Sequence, residues 1–535
     1  MPEQMAFARK ASGLVRGLSL IDAFGVGFMN QGLTVSMWVM ISMGLSVYTG
    51  GNLIIATILS AVLCGVGFSL VWGILGGSMP RSGGEYIYNS RILGPLIGIA
   101  ESFGNAFVWI MWIFVLAPWT VDPGLVMLFQ FLNMPAAAEW CTQPIALFLI
   151  STLVNVIALL FLVFGMKVFA LAQKVIMGLG ILGGIVILLL FTFTSHDAFV
   201  QAWNNVAAQY GSLDYQGFLT AAQAAMQEAG TALPATWNWF DTLGVMVAGS
   251  WLFAYSYCIT FIAGEVKRPD KTIILANLFA VLVPAFFMLW LAIVLYRVVG
   301  FQFLSATAWV DYNGLAGYTV PWSSHYMGLA AMLTPSPLLL ILMAGSFILF
   351  NLWYVALSYL AFPRIVFAWG MDRMGPKWFT DVSPRHASPI KNLTVAMAVF
   401  ALGVAVYVLW LKDDLSGLIG GGMQFISVFL ITGISAILFP YRKNVRGIWE
   451  ASPYRTWKLA GIPLVTIGGV LYVIFILTFL YFSFIDPTSR DVTGKNLIVF
   501  AAAWAAGILW YFFWRARSAK QGIDVSITFG ELPPE

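Results

Sequence analysis

Residues Asp241–Pro269 read DTLGVMVAGSWLFAYSYCITFIAGEVKRP. A bilayer crossing takes about 20 residues, and this stretch is long and apolar enough for one. Yet Gly249-Ser250 interrupts it partway, and it leaves through a charged segment, Gly264-Glu265-Val266-Lys267-Arg268-Pro269. Inside a membrane a helix can open its backbone only where protein or a water-filled cavity takes up the freed N–H and C=O groups. A weak point at that depth, bracketed by Trp251, Phe253 and Tyr255, suggests a binding cavity. Close packing of a small residue would account for it too, since Gly is common in membrane helices.

The rest of the chain is equally apolar. Of 535 residues, 60% are hydrophobic and 9% charged, against about 25% charged in soluble domains. No soluble core needs that much apolar surface, so the sequence describes an all-α polytopic membrane protein. Cys64, Cys141 and Cys258 lie far apart without metal-ligand spacing, and His196, His325 and His386 are scattered. No disulfide framework, zinc site or haem is expected. Arg9, Lys10 and Arg16 precede an apolar run too long for a signal-peptide core, so that run is expected to stay attached as the first span.

Twelve spans are expected, near 17–47, 53–78, 95–131, 144–165, 168–193, 239–263, 272–299, 336–369, 392–411, 417–440, 459–485 and 496–514. An even number puts both termini on one side. Of 27 Lys and Arg, all but Arg297, Lys412, Arg490 and Lys495 fall on the side of the termini. The connection from Ser195 to Phe240 has acids such as Asp197, Asp214 and Glu228 but no Lys or Arg. By the positive-inside rule the termini are cytoplasmic and this connection is outside, in a plasma (inner) membrane. Its middle, Tyr215 to Ala229, suits a surface helix, and Trp237 and Trp239 suit an interfacial belt.

In the first span, Gly25, Gly27 and Gly32 interrupt the helix, with Asn30 and Gln31 between them. Two adjacent amides deep in a span need a partner or water. Helix–helix glue accounts for them as well as a site does. After the second span comes PRSGGEYIYNSR (Pro80–Arg91), and the eighth leaves through PRIVFAWGMDRMGPKWFTDVSPRHASP (Pro363–Pro389).

Together with AGEVKRPDKTI (Ala263–Ile273), these two segments resemble the amino acid–polyamine–organocation (APC) superfamily of transporters, in order and in spacing. The resemblance covers roughly residues 15–440 and the last two spans more loosely. It implies a leucine-transporter-like fold of 12 transmembrane helices, a 5+5 inverted repeat with broken helices 1 and 6, plus two C-terminal helices. The implied division is residues 1–194 (helices 1–5), 195–238 (extracellular loop), 239–440 (helices 6–10), 441–515 (helices 11 and 12) and 516–535 (cytoplasmic tail). In such folds half-helix N-termini attract a carboxylate and freed carbonyls take an ammonium or cation.

Mapped onto this sequence, the substrate site comprises Asn30, Gln31, Gly32, Leu33 and Thr34 with Gly249, Ser250, Trp251, Phe253 and Tyr255. The family's Gly-x-Gly at the first break is here Gly32-Leu33-Thr34, and its aromatic-Ala-aromatic-x-Gly run is here Phe253-Ala254-Tyr255-Ser256-Tyr257. The Lys that many proton-coupled members carry in helix 5 falls on Gly180, with Lys174 nearer the cytoplasmic end. Lys174 and Asn351 are the candidate ion-coupling groups, although a structural hydrogen bond between helices suits Asn351 better. Gly420-Gly421-Gly422 would let the tenth helix bend as an outer gate.

Asp22, Glu101, Lys174, Glu265 and Arg364 fall near cytoplasmic helix ends, where snorkelling to water is expected. Glu85, Glu265, Lys267, Arg364 and Asp372 read as cytoplasmic surface and gate contacts. A pocket of amides, hydroxyls and aromatics without formal charge suits a neutral amino acid better than a polyamine. The function expected is secondary active amino acid transport by alternating access. A polyamine carrier, an amino acid exchanger and a non-transporting amino acid sensor are the alternatives. An enzyme would need clustered catalytic groups and a channel a filter loop, and neither is visible. The expected partners are an amino acid, H+ or Na+, and the lipid bilayer, with no nucleic acid, metal or cofactor.

Overall fold

Polar residues placed just ahead of apolar runs start the helices. Ser19 accepts the Asp22 N–H while the Asp22 carboxylate takes the Ser19 N–H in return, a capping box that opens the first span. Asn52 caps the second span through the N–H groups of Ile54 and Ile55, and Asn238 caps the sixth through that of Asp241. The computed structural model describes residues 16–383, 388–411, 425–485 and 494–533. Among these, ten helices are long and apolar enough to cross a membrane. A bent pair, Trp239–Ala248 with Ser250–Phe261, makes an eleventh at an angle of 42°. Where the tenth span is expected, a shorter apolar helix covers Val428–Leu438. Gly420-Gly421-Gly422 lies outside the described residues.

Burial sorts the helices into a centre and a rim. The apolar window of the first span (Leu20–Val47) is 89% buried and that of the third (Pro95–Phe131) 83%, against 11% for the last (Leu497–Ala519). The first span packs on the seventh (Pro269–Val298) and the eighth (Pro337–Met371), and the fifth (Met166–Thr192) lies along the eighth. The fourth span (Pro144–Val163) shows the rim pattern: Leu149, Leu153, Ile157 and Leu160 are exposed, while Ser151 and Asn155 are buried. A helix that turns leucines outward and its amides inward is solvated by lipid and not by water.

The two faces of the bundle differ. On the face that carries the start of the first span and the tail, here the terminal face, the backbones of the first and sixth spans are strapped together. Gly17 and Leu18 donate to the Glu265 carbonyl at 2.9 and 3.0 Å, and Lys267 donates to that of Leu18 at 2.9 Å. On the opposite face, residues 195–238 form two helices, His196–Tyr210 and Tyr215–Glu228. The second matches the expected surface helix, and the first went unforeseen. Trp203, Tyr215 and Phe218 pack there on Phe303 of the Phe301–Asn313 helix, with Tyr215 and Phe303 stacked 4.0 Å apart.

Candidate functional site

The first span is broken at Gly32. The helix Leu20–Gln31 ends there in a left-handed turn (φ 54°, ψ 74°), and a second helical stretch begins at Leu33. Only Gly takes that conformation freely. It also has no room for a side chain, because a Cβ on Gly32 would lie 2.5 Å from Cε2 of the Tyr354 ring. The Tyr354 hydroxyl donates to the freed Gln31 carbonyl at 2.6 Å. Ser36 Oγ sits between the carbonyls of Gln31 and Trp251, 3.1 Å from the latter, so it touches both broken spans.

The sixth span bends at Gly249 and then tightens into a 3-10 turn at Tyr255–Tyr257. The Asn30 amide donates to the Tyr255 carbonyl at 2.6 Å and joins the two breaks directly. Gln31 is fully buried, and among the described residues neither its side-chain oxygen nor its nitrogen has a hydrogen-bond partner. Leu33 and Thr34 start the second half-helix, whose first N–H groups lack intrahelical acceptors. Thr34 Oγ1 lies 3.2 Å from Ser346 Oγ, which donates to the Gly180 carbonyl at 2.6 Å. A serine of the eighth span thus stands beside the position at which the resemblance would place a lysine.

Aromatic rings surround the breaks. Trp251 is stacked on Trp119 at 6.1 Å and meets Trp112 edge-on at 5.2 Å, and Tyr255 lies 5.9 Å from Trp251. Farther toward the face opposite the termini is a cavity of about 130 Å³, lined by Trp38, Ser42, Asp311, His325 and Phe347 among others. Toward the terminal face, buried ion pairs take over. Arg91 binds Asp372 through two bonds of 2.6 and 2.8 Å, and Arg364 binds Glu265 at 2.8 Å.

A scan of protein families matches the amino acid permease model over residues 18–510. The chain belongs to the amino acid permease family. No curated protein matches it. The permease is therefore a multi-pass membrane protein of an amino acid transport family.

The structure of the permease brings Asn30, Gln31, Gly32, Trp251 and Tyr255 together. Phe253 and Ser250 are buried nearby in the same short helix. Gly249 faces elsewhere: a Cβ there would lie 2.3 Å from Ser60 Oγ of the second span. Asn351 is buried and donates within its own helix to the Phe347 carbonyl at 3.3 Å. Lys174 is 42% exposed and pairs with Asp22 at 2.8 Å, at the start of the first span. The sequence reading missed Ser36, Tyr354, Trp112 and Trp119. Their signals were spacing from known positions: Ser36 is one turn past Gly32, Tyr354 one turn past Asn351, and Trp112 and Trp119 are two turns apart.

The acids near the terminal face differ most from expectation. Glu85, Glu101, Glu265, Arg364 and Asp372 are all buried, and of the gate group only Lys267 is exposed. Snorkelling accounts for Lys174 alone, because neighbouring spans close over the others. Burial pushes the Glu85 carboxyl up to about 8, opposed by a hydrogen bond from Asn105. Glu85 stands on the short helix Glu85–Ile92, between the second and third spans.

Proposed function

We propose that this permease carries a neutral amino acid across the plasma (inner) membrane by alternating access. Its twelve helices would form a 5+5 inverted repeat (1–194 and 239–440, joined by 195–238) followed by helices 11 and 12 (441–515) and a cytoplasmic tail (516–535). The termini are cytoplasmic, so the terminal face is the inner gate and the 130 Å³ cavity belongs to the outer approach. The substrate lies between the breaks of the first and sixth spans, among Asn30–Thr34, Ser250, Trp251, Phe253 and Tyr255.

The observation that carries this reading is the carboxamide of Gln31, buried beside the left-handed turn at Gly32 without a partner among the described residues. An unpaired buried amide costs about 1–3 kcal/mol, and a polar ligand removes that penalty. N–H groups of the half-helix starting at Leu33 suit a carboxylate, and carbonyls near Gln31 and Trp251 suit an ammonium. No carboxylate hydrogen-bonds to these groups among the described residues, which favours a zwitterion over a polyamine. Trp112, Trp119 and Trp251 offer an apolar wall for the side chain.

Uptake into proteoliposomes from a panel of labelled amino acids tests the reading, with putrescine and lysine as competitors. A neutral amino acid should accumulate or exchange, and Gln31→Ala should raise its KM. Putrescine or lysine outcompeting every neutral amino acid overturns the substrate class. No movement of any amino acid overturns transport and leaves a sensor.

A further inference from the structure

We propose that Glu85 and Glu101 form a proton-binding carboxyl pair that couples proton movement to the bend in the sixth span. This rests on the transport reading and adds the driving ion. Both side chains are fully buried on the terminal-face side of the breaks. Glu85 Oε1 accepts from the Asn105 amide, one turn beyond Glu101 on the same face of the third span. Among the described residues, Glu85 Oε2 and both oxygens of Glu101 have no hydrogen-bond partner. The Asn89 amide, which interacts with Glu101, donates to Thr432 Oγ1 at 3.0 Å.

Two adjacent carboxylates without a cation cannot both ionise in a desolvated site, so at least one holds its proton. The usual neutralising partners are occupied elsewhere. Arg91 is bound by Asp372, and Arg364, which faces Cys258, is bound by Glu265. Tyr86 donates to Asp372 at 2.9 Å. From the sixth span Tyr257 and Cys258 face Glu85, and among the described residues of the tenth Thr432 and Ser435 bond to Asn89. The last span presents Gly507 against Ala100 and Phe103, with Arg515 and Arg517 exposed.

The pair has a route to the substrate site. Tyr257 donates to Asn105 Oδ1 at 3.4 Å and lies in the 3-10 turn whose first residue, Tyr255, holds Asn30 through its carbonyl. When the terminal face opens, water reaches the pair and one O–H gives its proton to it, leaving a second carboxylate. The new charge strengthens the hold on Asn105 and repels its neighbour, which reshapes the contacts of the turn at Tyr257. Reprotonation from the other side of the cycle restores the closed arrangement. One proton is taken up and one released per cycle.

The experiment uses the full chain in liposomes with an equimolar mixture of labelled alanine, leucine and phenylalanine. Counterflow at equal pH is compared with uptake driven by a pH gradient, acid on the side of uptake, for wild type, Glu85→Gln, Glu101→Gln and the double variant. The expected result is at least a tenfold gradient stimulation in wild type that the variants lose while counterflow persists. Counterflow in wild type with no gradient response overturns the pair, as does a gradient response retained by the double variant. Loss of both modes in wild type overturns the transport reading instead. Infrared titration of wild type alone keeps the proposal testable if the variants do not fold: a protonated carboxyl band that fades as pH rises through neutrality is expected, and its absence refutes the pair.

Discussion

The left-handed turn at Gly32 makes a sharp prediction, because two separate penalties meet at one atom. In Gly32→Ala the methyl group must adopt φ 54°, which costs about 1–2 kcal/mol for an L-residue. It must also displace the Tyr354 ring, whose Cε2, Cζ and hydroxyl would lie 2.5, 2.7 and 2.8 Å away. Overpacking of this kind costs about 1–3 kcal/mol. Tyr354 cannot swing aside freely, since its hydroxyl holds the Gln31 carbonyl at 2.6 Å. The sum, about 2–5 kcal/mol, depopulates the bent arrangement by roughly 30-fold or more, at 1.4 kcal/mol per tenfold. Uptake in proteoliposomes should fall accordingly, and thermal unfolding of the purified protein should shift downward. Gly32→Ala combined with Tyr354→Leu should recover the steric part of the unfolding shift and leave the backbone part. Wild-type uptake and an unchanged melting temperature in Gly32→Ala would refute the argument that this turn shapes the site.

Three further outcomes follow from the same structure. Breaking the buried Arg91–Asp372 pair by either Arg91→Met or Asp372→Leu should destabilise by about 3–5 kcal/mol, whereas the double variant should recover much of the loss; additive losses in a thermal-unfolding cycle would show that the pair is not coupled. Lys174→Met should change stability by less than about 1 kcal/mol, because the Lys174–Asp22 pair is partly solvated, and a larger shift in melting temperature contradicts this. Gly249→Leu should abolish uptake through its clash with Ser60 and with the bend itself, while membrane expression measured by immunoblot stays intact.

Hydropathy made the spans legible because it reports depth along a helix. The breaks were legible because amides such as Asn30 and Gln31 are costly at that depth unless a partner or a cavity receives them. Hydropathy carries little information about rotation or about which later helix covers a given face. Tyr354 closes on Gln31 only once the eighth span has packed across the first, a contact between residues 323 positions apart. Gly249 shows the same limit in reverse: the sixth span bends where the sequence interrupts it, but Gly249 faces Ser60 of the second span.

Glu101 is the most instructive case, and it leads to a prediction about pH. Six residues after Pro95, it reads as a helix-end acid with water in reach, yet the last span seats Gly507 on Ala100 and Phe103 and shuts that side. Burial acts likewise on a nearby acid outside the spans, Glu85, whose own desolvation pushes its carboxyl up to about 8 from an ordinary 4.5. A carboxyl with a raised native pKa binds more protons folded than unfolded, so stability is present in full below about 4.5 and declines as pH rises toward 8. The melting temperature of wild type should therefore fall between those limits, and Glu85→Gln should flatten the decline. A melting temperature that rises over the same range would mean that Glu85 is ionised in the folded protein, and a buried carboxylate without a cation would then need a ligand of opposite charge to hold it there.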